Sequence, residues 1–144
     1  MRKILIIFGV FILLCFGIEQ KRHFYALSDD KYVTVWKRWG DICYIIPGKY
    51  YGITVPDNYV KTSNVSYVGI IYYDGKIIVD GGAECQFINS SPNNMIYNYK
   101  DNEQENDSLF TEKRGYYYYY KKNFNVITVD IRYPYATDRY GKKL

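Results

Sequence analysis

Asp101, Glu103, Glu105, Asp107 and Glu112 stand at positions 1, 3, 5, 7 and 12 of a calcium-loop frame, where hard carboxylate oxygens can encircle a cation. The match is partial. Asn106 replaces the glycine of position 6, glutamates fill positions that shorter side chains usually take, and no helical pattern flanks the run. A solvated acidic loop is the simpler reading, and nothing in the sequence calls for a metal or other cofactor.

Cys43 and Cys85 are the next candidates, since the third cysteine, Cys15, lies inside an apolar segment. In an oxidising compartment the two are natural disulfide partners, closing a loop of about 43 residues worth ~4 kcal/mol in the chain-entropy description. Neither reads as a nucleophile. The one histidine, His23, follows the apolar segment directly, and a Cys-His arrangement requires that stretch to fold back onto the domain.

Other catalytic patterns are missing: there is no H-E-x-x-H, no G-x-S-x-G, no phosphate loop and no histidine cluster. A carboxylate pair drawn from residues such as Asp80, Glu84 and Asp130 would suffice for glycosidase-type hydrolysis, and 15 acids leave that reading open. Asp80-Gly81-Gly82 is more economically a turn or bulge.

Aromatic side chains are the richest resource, with 19 tyrosines against three alanines. AT-rich coding accounts for such an excess, but the physical consequence stands: tyrosine favours strands, and the best helix former is nearly absent. Trp36 and Trp39, with Tyr32, Tyr44, Tyr50, Tyr51, Tyr117 and Tyr119, offer rings with polar tips that suit a protein partner or a sugar face. Residues 36 and 39 are an odd number apart, so a regular strand turns only one tryptophan inward. Trp39, beside Gly40 and Asp41, is the expected exposed one, and Tyr117, Tyr119 and Arg132 complete the candidate binding set. Three N-x-S sequences, at Asn64, Asn89 and Asn106, fit a glycosylation acceptor and exceed chance only mildly.

Arg2 and Lys3 precede the apolar run of residues 4–18, which Glu19, Gln20, Lys21 and Arg22 terminate. The pattern is that of a signal peptide cut after Gly17 or of a retained membrane anchor, with lipidation at Cys15 a third route disfavoured by Leu14. A buried N-terminal helix would carry polar residues on one face, and this run has none. Removing Arg2 and Lys3 from the 19 cations leaves 17 against 15 acids, a net +2, which gives nucleic-acid binding no electrostatic support.

The elements expected to position these residues are strands. Short runs of Val, Ile, Tyr and Trp punctuated by Gly, Pro, Asn and Asp predict Tyr32 to Arg38, Asp41 to Ile46, Tyr67 to Tyr73, Lys76 to Asp80, Glu84 to Ile88, Met95 to Tyr99, Gly115 to Lys121 and Phe124 to Tyr133. Asp74-Gly75 predicts a two-residue type I′ hairpin. It pairs Tyr73 with Lys76 and Ile70 with Val79, with Val68, Ile70, Tyr72, Ile77 and Val79 on the core side. A second hairpin is expected about Lys122-Asn123, joining the tyrosine run to the strand that follows.

The fold expected is mainly β: a small antiparallel β-sandwich or barrel-like meander behind an N-terminal hydrophobic signal or anchor helix. Its parts are the segment 1–18, a linker 19–30, one β domain 31–135 and a poorly ordered polar tail 136–144. An exported or membrane-tethered location, in the cell envelope or outside it, follows from the apolar run, with the membrane held through residues 4–18 if that run is retained. By elimination, the expected role is non-catalytic binding of another protein, of inhibitor, immunity or adaptor type. The alternatives are a carbohydrate- or small-ligand-binding domain using exposed Trp and Tyr, and a small carboxylate-dependent hydrolase.

Overall fold

A computed structural model of the chain describes residues 6–12, 21–38, 42–63, 67–81, 85–89, 96–102, 110–114, 117–120, 125–132 and 135–144, with the backbone alone at 89, 102, 110–114 and 117–120. Residues 6–12 form a short helix. Twelve strands follow: β1 (Lys21–Ala26), β2 (Tyr32–Lys37), β3 (Cys43–Pro47), β4 (Asn58–Thr62), β5 (Tyr67–Tyr73), β6 (Lys76–Asp80), β7 (Cys85–Asn89), β8 (Ile96–Asn98), β9 (Phe110–Arg114), β10 (Tyr117–Tyr120), β11 (Asn125–Asp130) and β12 (Ala136–Asp138). A 3-10 turn spans Tyr99–Asn102.

Two five-stranded sheets result. The first, sheet A, has the order β1-β2-β3-β4-β7; the second, sheet B, has the order β12-β11-β5-β6-β8; β9 and β10 form a separate two-stranded ribbon. Among the described residues all strand pairings are antiparallel except β6 with β8. Neither sheet closes on itself, so the barrel-like alternative is not realised.

Alternation along the strands explains the two layers. Val33, Val35, Cys43, Ile45 and Val60 from sheet A meet Val68, Ile70, Ile77, Val79, Ile127 and Val129 from sheet B in one buried cluster. Sheet B is apolar on its outer side as well, where Ile71, Ile78 and Val126 pack with Tyr99 of the 3-10 turn.

The Asp74-Gly75 hairpin forms in the expected register, Tyr73 opposite Lys76 through Ile70 opposite Val79, with φ of 49° and 74° at the two turn residues. Its core side is the one the alternation gave. The hairpin about Lys122-Asn123 does not form: β11 pairs with β5 and β12, while β10 pairs with β9. Residues 126 to 131 of β11 and its continuation are buried on both faces, so the strand needs a neighbour on each edge within a sheet, a place for which a run of tyrosines flanked by lysines is poorly suited.

Both ends of the expected domain move outward. The stretch expected as a linker contains β1, paired with β2 from Lys21–Lys37 to Ala26–Tyr32, because Tyr25 and the following Leu27 supply core side chains from within a charged context. The expected polar tail contains β12. Ala136 is fully buried, Asp138 Oδ1 accepts from the Tyr140 and Lys142 amides at 2.8 and 2.9 Å, and the Leu144 amide donates back to the Ala136 carbonyl. β4 is a strand that the neighbouring Pro56-Asp57 turn signal obscured.

Candidate functional site

Inward-facing Val33 and Val35 oblige Thr34 and Trp36 of β2 to face away from the core. The register then lines up a row across the outer face of sheet A: Arg22, Trp36, Tyr44, Lys61 and Gln86, one from each strand. The adjacent row runs through Phe24, Thr34 and Ile46, with Tyr59 opposite Ile88. Neither row contains an acid.

The rings in these rows pack on one another. Trp36 and Tyr44 lie 5.8 Å apart, Tyr44 and Tyr59 meet edge to face at 5.4 Å, and the Arg22 and Arg38 guanidinium carbons sit 4.1 and 5.2 Å from the indole. Trp36 is fully covered. Cation–π stacking of a desolvated guanidinium contributes ~2 kcal/mol, which fixes the arginines as much as the ring.

The connection from β3 to β4 crosses this face. Gly48, at φ 80°, turns the chain; the Thr34 hydroxyl then donates to the Gly48 carbonyl at 2.6 Å and accepts from the Tyr50 amide at 2.8 Å. Arg22 reaches over from β1, its two terminal nitrogens donating to the Gly52 carbonyl at 2.7 Å and the Tyr50 carbonyl at 3.4 Å. The Tyr50 ring occupies the space a side chain at Gly52 would need, and its hydroxyl donates to the Thr54 carbonyl. This clamp leaves Tyr51 and Ile53 exposed at 70% and 84%, with the Tyr51 ring tilted against Phe24 at 5.0 Å between centroids.

Trp36 and Tyr44 of the expected aromatic set lie in these rows, whereas Tyr117, Tyr119 and Arg132 lie elsewhere. Trp39 lies outside the described residues, as do Glu103, Glu105 and Asp107 of the acidic frame. Tyr117 and Tyr119 sit in β10 opposite Arg114 and Glu112, Arg132 is an exposed residue beyond β11, and Asp101 falls in the 3-10 turn. The Arg132 amide donates to Asp130 Oδ1 at 2.9 Å. No cluster of three or more potential metal ligands occurs among the described residues. Trp36, Tyr44, Tyr50 and Tyr51 were within the aromatic set; Arg22 and Lys61 were missed, because cross-strand register, and not sequence spacing, brings them beside the rings.

Cys43 and Cys85 are thiols, and the expected disulfide is not made. Cys43 pairs with Thr62 and Thr62 with Cys85, so a whole strand lies between them. Two inter-strand steps put their Cα atoms ~10 Å apart, beyond the ~7 Å a disulfide spans. Burial pushes the Cys43 thiol up to about 12 and, with Cys43 adding to it, does the same to the Tyr25 hydroxyl. Burial, then the charges of Lys37 and Lys21, holds His23 below the usual histidine range. A neutral, buried thiol does not make a nucleophile, and the register sets His23 two strands away from it.

A cleft of about 490 Å3 opens where the β1–β2 turn meets β11 and the C-terminal hook, lined by Ser28, Asp29, Tyr32, Asn125, Arg139 and Tyr140 among others. Within its lining the Asn125 amide donates to the Leu27 carbonyl.

No protein-family model, curated protein or solved structure matches this chain.

Proposed function

We propose that this chain is a small non-catalytic binding module, held at a membrane by residues 4–18, whose outer sheet-A face receives an acidic protein partner. The observation that carries the reading is the acid-free stretch of Tyr44, Lys61 and Gln86 with Tyr59 and Ile88 beside it, backed by the fully covered Trp36. Packed rings that need no rearrangement, flanked by cations, give a partner apolar contact at little ordering cost and steer an acidic surface to it. Support for the tether comes from the helix at residues 6–12, whose apolar side chains are all exposed, Ile6, Ile7, Phe8 and Phe11 by more than 60%. Among the described residues no helix is long and apolar enough to cross a membrane; the tether reading draws on the whole apolar run of residues 4–18. An exported or envelope location follows from the same run.

The test is purification of the tagged full chain from its own membranes, followed by mass spectrometry of what accompanies it. A stoichiometric partner is expected, lost from the Lys61→Glu and Ile88→Asp variants while their melting temperatures stay within a few degrees of the natural chain. A partner retained by both variants refutes the face.

The 490 Å3 cleft favours a second reading, binding of a small polar ligand such as a sugar, because tyrosine rings there stand with Asp29, Asn125 and Arg139. That reading predicts saturable glycan binding abolished by Tyr32→Ala and indifferent to Lys61→Glu.

A further inference from the structure

The β3–β4 loop and strand β1 form the half of the sheet-A face that the partner reading leaves unused. Phe24, Tyr51 and Ile53 are exposed there, with Lys49 exposed on the same half. Large exposed apolar side chains held by a half-buried arginine are costly to leave against water, and the Arg22 clamp presents them instead of letting them collapse.

The distance along the chain says what lies nearby. β1 begins at Lys21, only three residues beyond Ile18, the last residue of the apolar run. Three residues extend by at most about 11 Å, comparable to the depth of the headgroup layer that flanks the hydrocarbon core. The expected 12-residue linker would have let the domain stand clear of a bilayer; an edge strand starting at residue 21 does not. Aromatic side chains concentrate in that interfacial zone, and lysines beside it are drawn to anionic lipid.

We propose that the β1 half of the face, through Phe24, Lys49, Tyr51 and Ile53, lies on the anionic lipid surface of the membrane that holds residues 4–18. The inference rests on the tether of the preceding section and not on the partner. It orients the domain: sheet A stands with β1 at the lipid and β7, carrying Ile88, turned away toward whatever binds.

The full chain is reconstituted in vesicles of phosphatidylcholine alone or with phosphatidylglycerol, with benzoylphenylalanine at position 53 or at position 88. Carbonate washing followed by ultraviolet crosslinking then reads tether and contact separately. Carbonate-resistant protein is expected, with a lipid adduct from position 53 and none from position 88. The adduct should be roughly three-fold or more greater with anionic lipid and fall to the neutral-lipid level in the Lys49→Glu variant. Carbonate-resistant protein lacking the position-53 adduct, or giving equal adducts from both positions, overturns the contact while leaving the tether standing. Adduct yields that ignore the anionic lipid overturn the electrostatic part, and release by carbonate overturns the tether and the contact with it.

Discussion

The buried polar groups of sheet A set its response to pH and to thiol reagents. His23 lies on the core side of the edge strand, stacked 6.1 Å from Tyr25, with its Nε2 buried and without a hydrogen-bond partner. Desolvation and then the nearby lysine charges depress its pKa from 6.5, so the unfolded chain takes up that proton first as pH falls. Stability is therefore intact above about pH 6.5, declines as pH drops below the unfolded value, and has lost the full contribution once pH passes below the folded one. Urea unfolding as a function of pH should show this decline, and His23→Gln should flatten it. Cys43 responds to chemistry and not to pH. With its thiol buried and pushed up to about 12, Cys43 carries little thiolate at pH 8, so iodoacetamide should leave it unmodified in the folded chain and label it after denaturation. The same mass spectrum without reductant should show no bridge to Cys85.

Turns and clamps decide which elements survive a single change. Gly75 sits at φ 74°, where a β-branched residue loses ~1–2 kcal/mol, so Gly75→Val should lower the unfolding free energy measured in urea by that amount while Asp74, which tolerates φ 49°, can be exchanged for Asn at no cost. Arg22→Ala should act locally. Losing two charge-assisted bonds to the Tyr50 and Gly52 carbonyls should speed amide exchange across residues 50–54 about ten-fold or more, with much less change in the amides of β3. These elements also show what was legible in the sequence. The Asp-Gly hairpin was legible down to its register, because a two-residue loop fixes pairing from local chemistry alone. The partners of β10 and β11 were not, since adjacency favoured a hairpin while burial of β11 on both faces demanded β5 and β12. β1 and β12 hid behind their charges: each contributes only one or two core side chains, Tyr25 and Ala136 among them, too few for alternation to reveal. The row from Arg22 to Gln86 joins five strands and exists only once their registers are set, so the sequence offered its aromatic members and not its cations.

At the scale of the molecule, the two sheets are one folding unit. The chain builds β1 to β4 in sheet A, crosses to β5 and β6 in sheet B, returns for β7 and crosses again for β8, so neither sheet is complete until residues on both sides are placed. Their inner faces share a single cluster, and Lys37 of β2 ties across the gap by donating to the Asp130 carbonyl of β11 at 2.6 Å. Such interleaving makes separate melting of the layers expensive, since opening one strips the other of its apolar cover. Ile45 on β3 and Ile70 on β5 are both fully buried in that cluster, one from each sheet. Truncating either to alanine should cost ~2–5 kcal/mol, set by how far the vacated volume can collapse. Cooperativity is the sharper test: in the Ile70→Ala variant the slowest amides of β2 and β3 should lose protection by the same free energy as those of β5 and β6, although the change lies wholly in sheet B. Protection of β2 and β3 that stays at the natural level would mean two layers that unfold independently. The outer sheet-A face could then open without the core, and the rigid presentation of its aromatic rows would no longer follow from the fold.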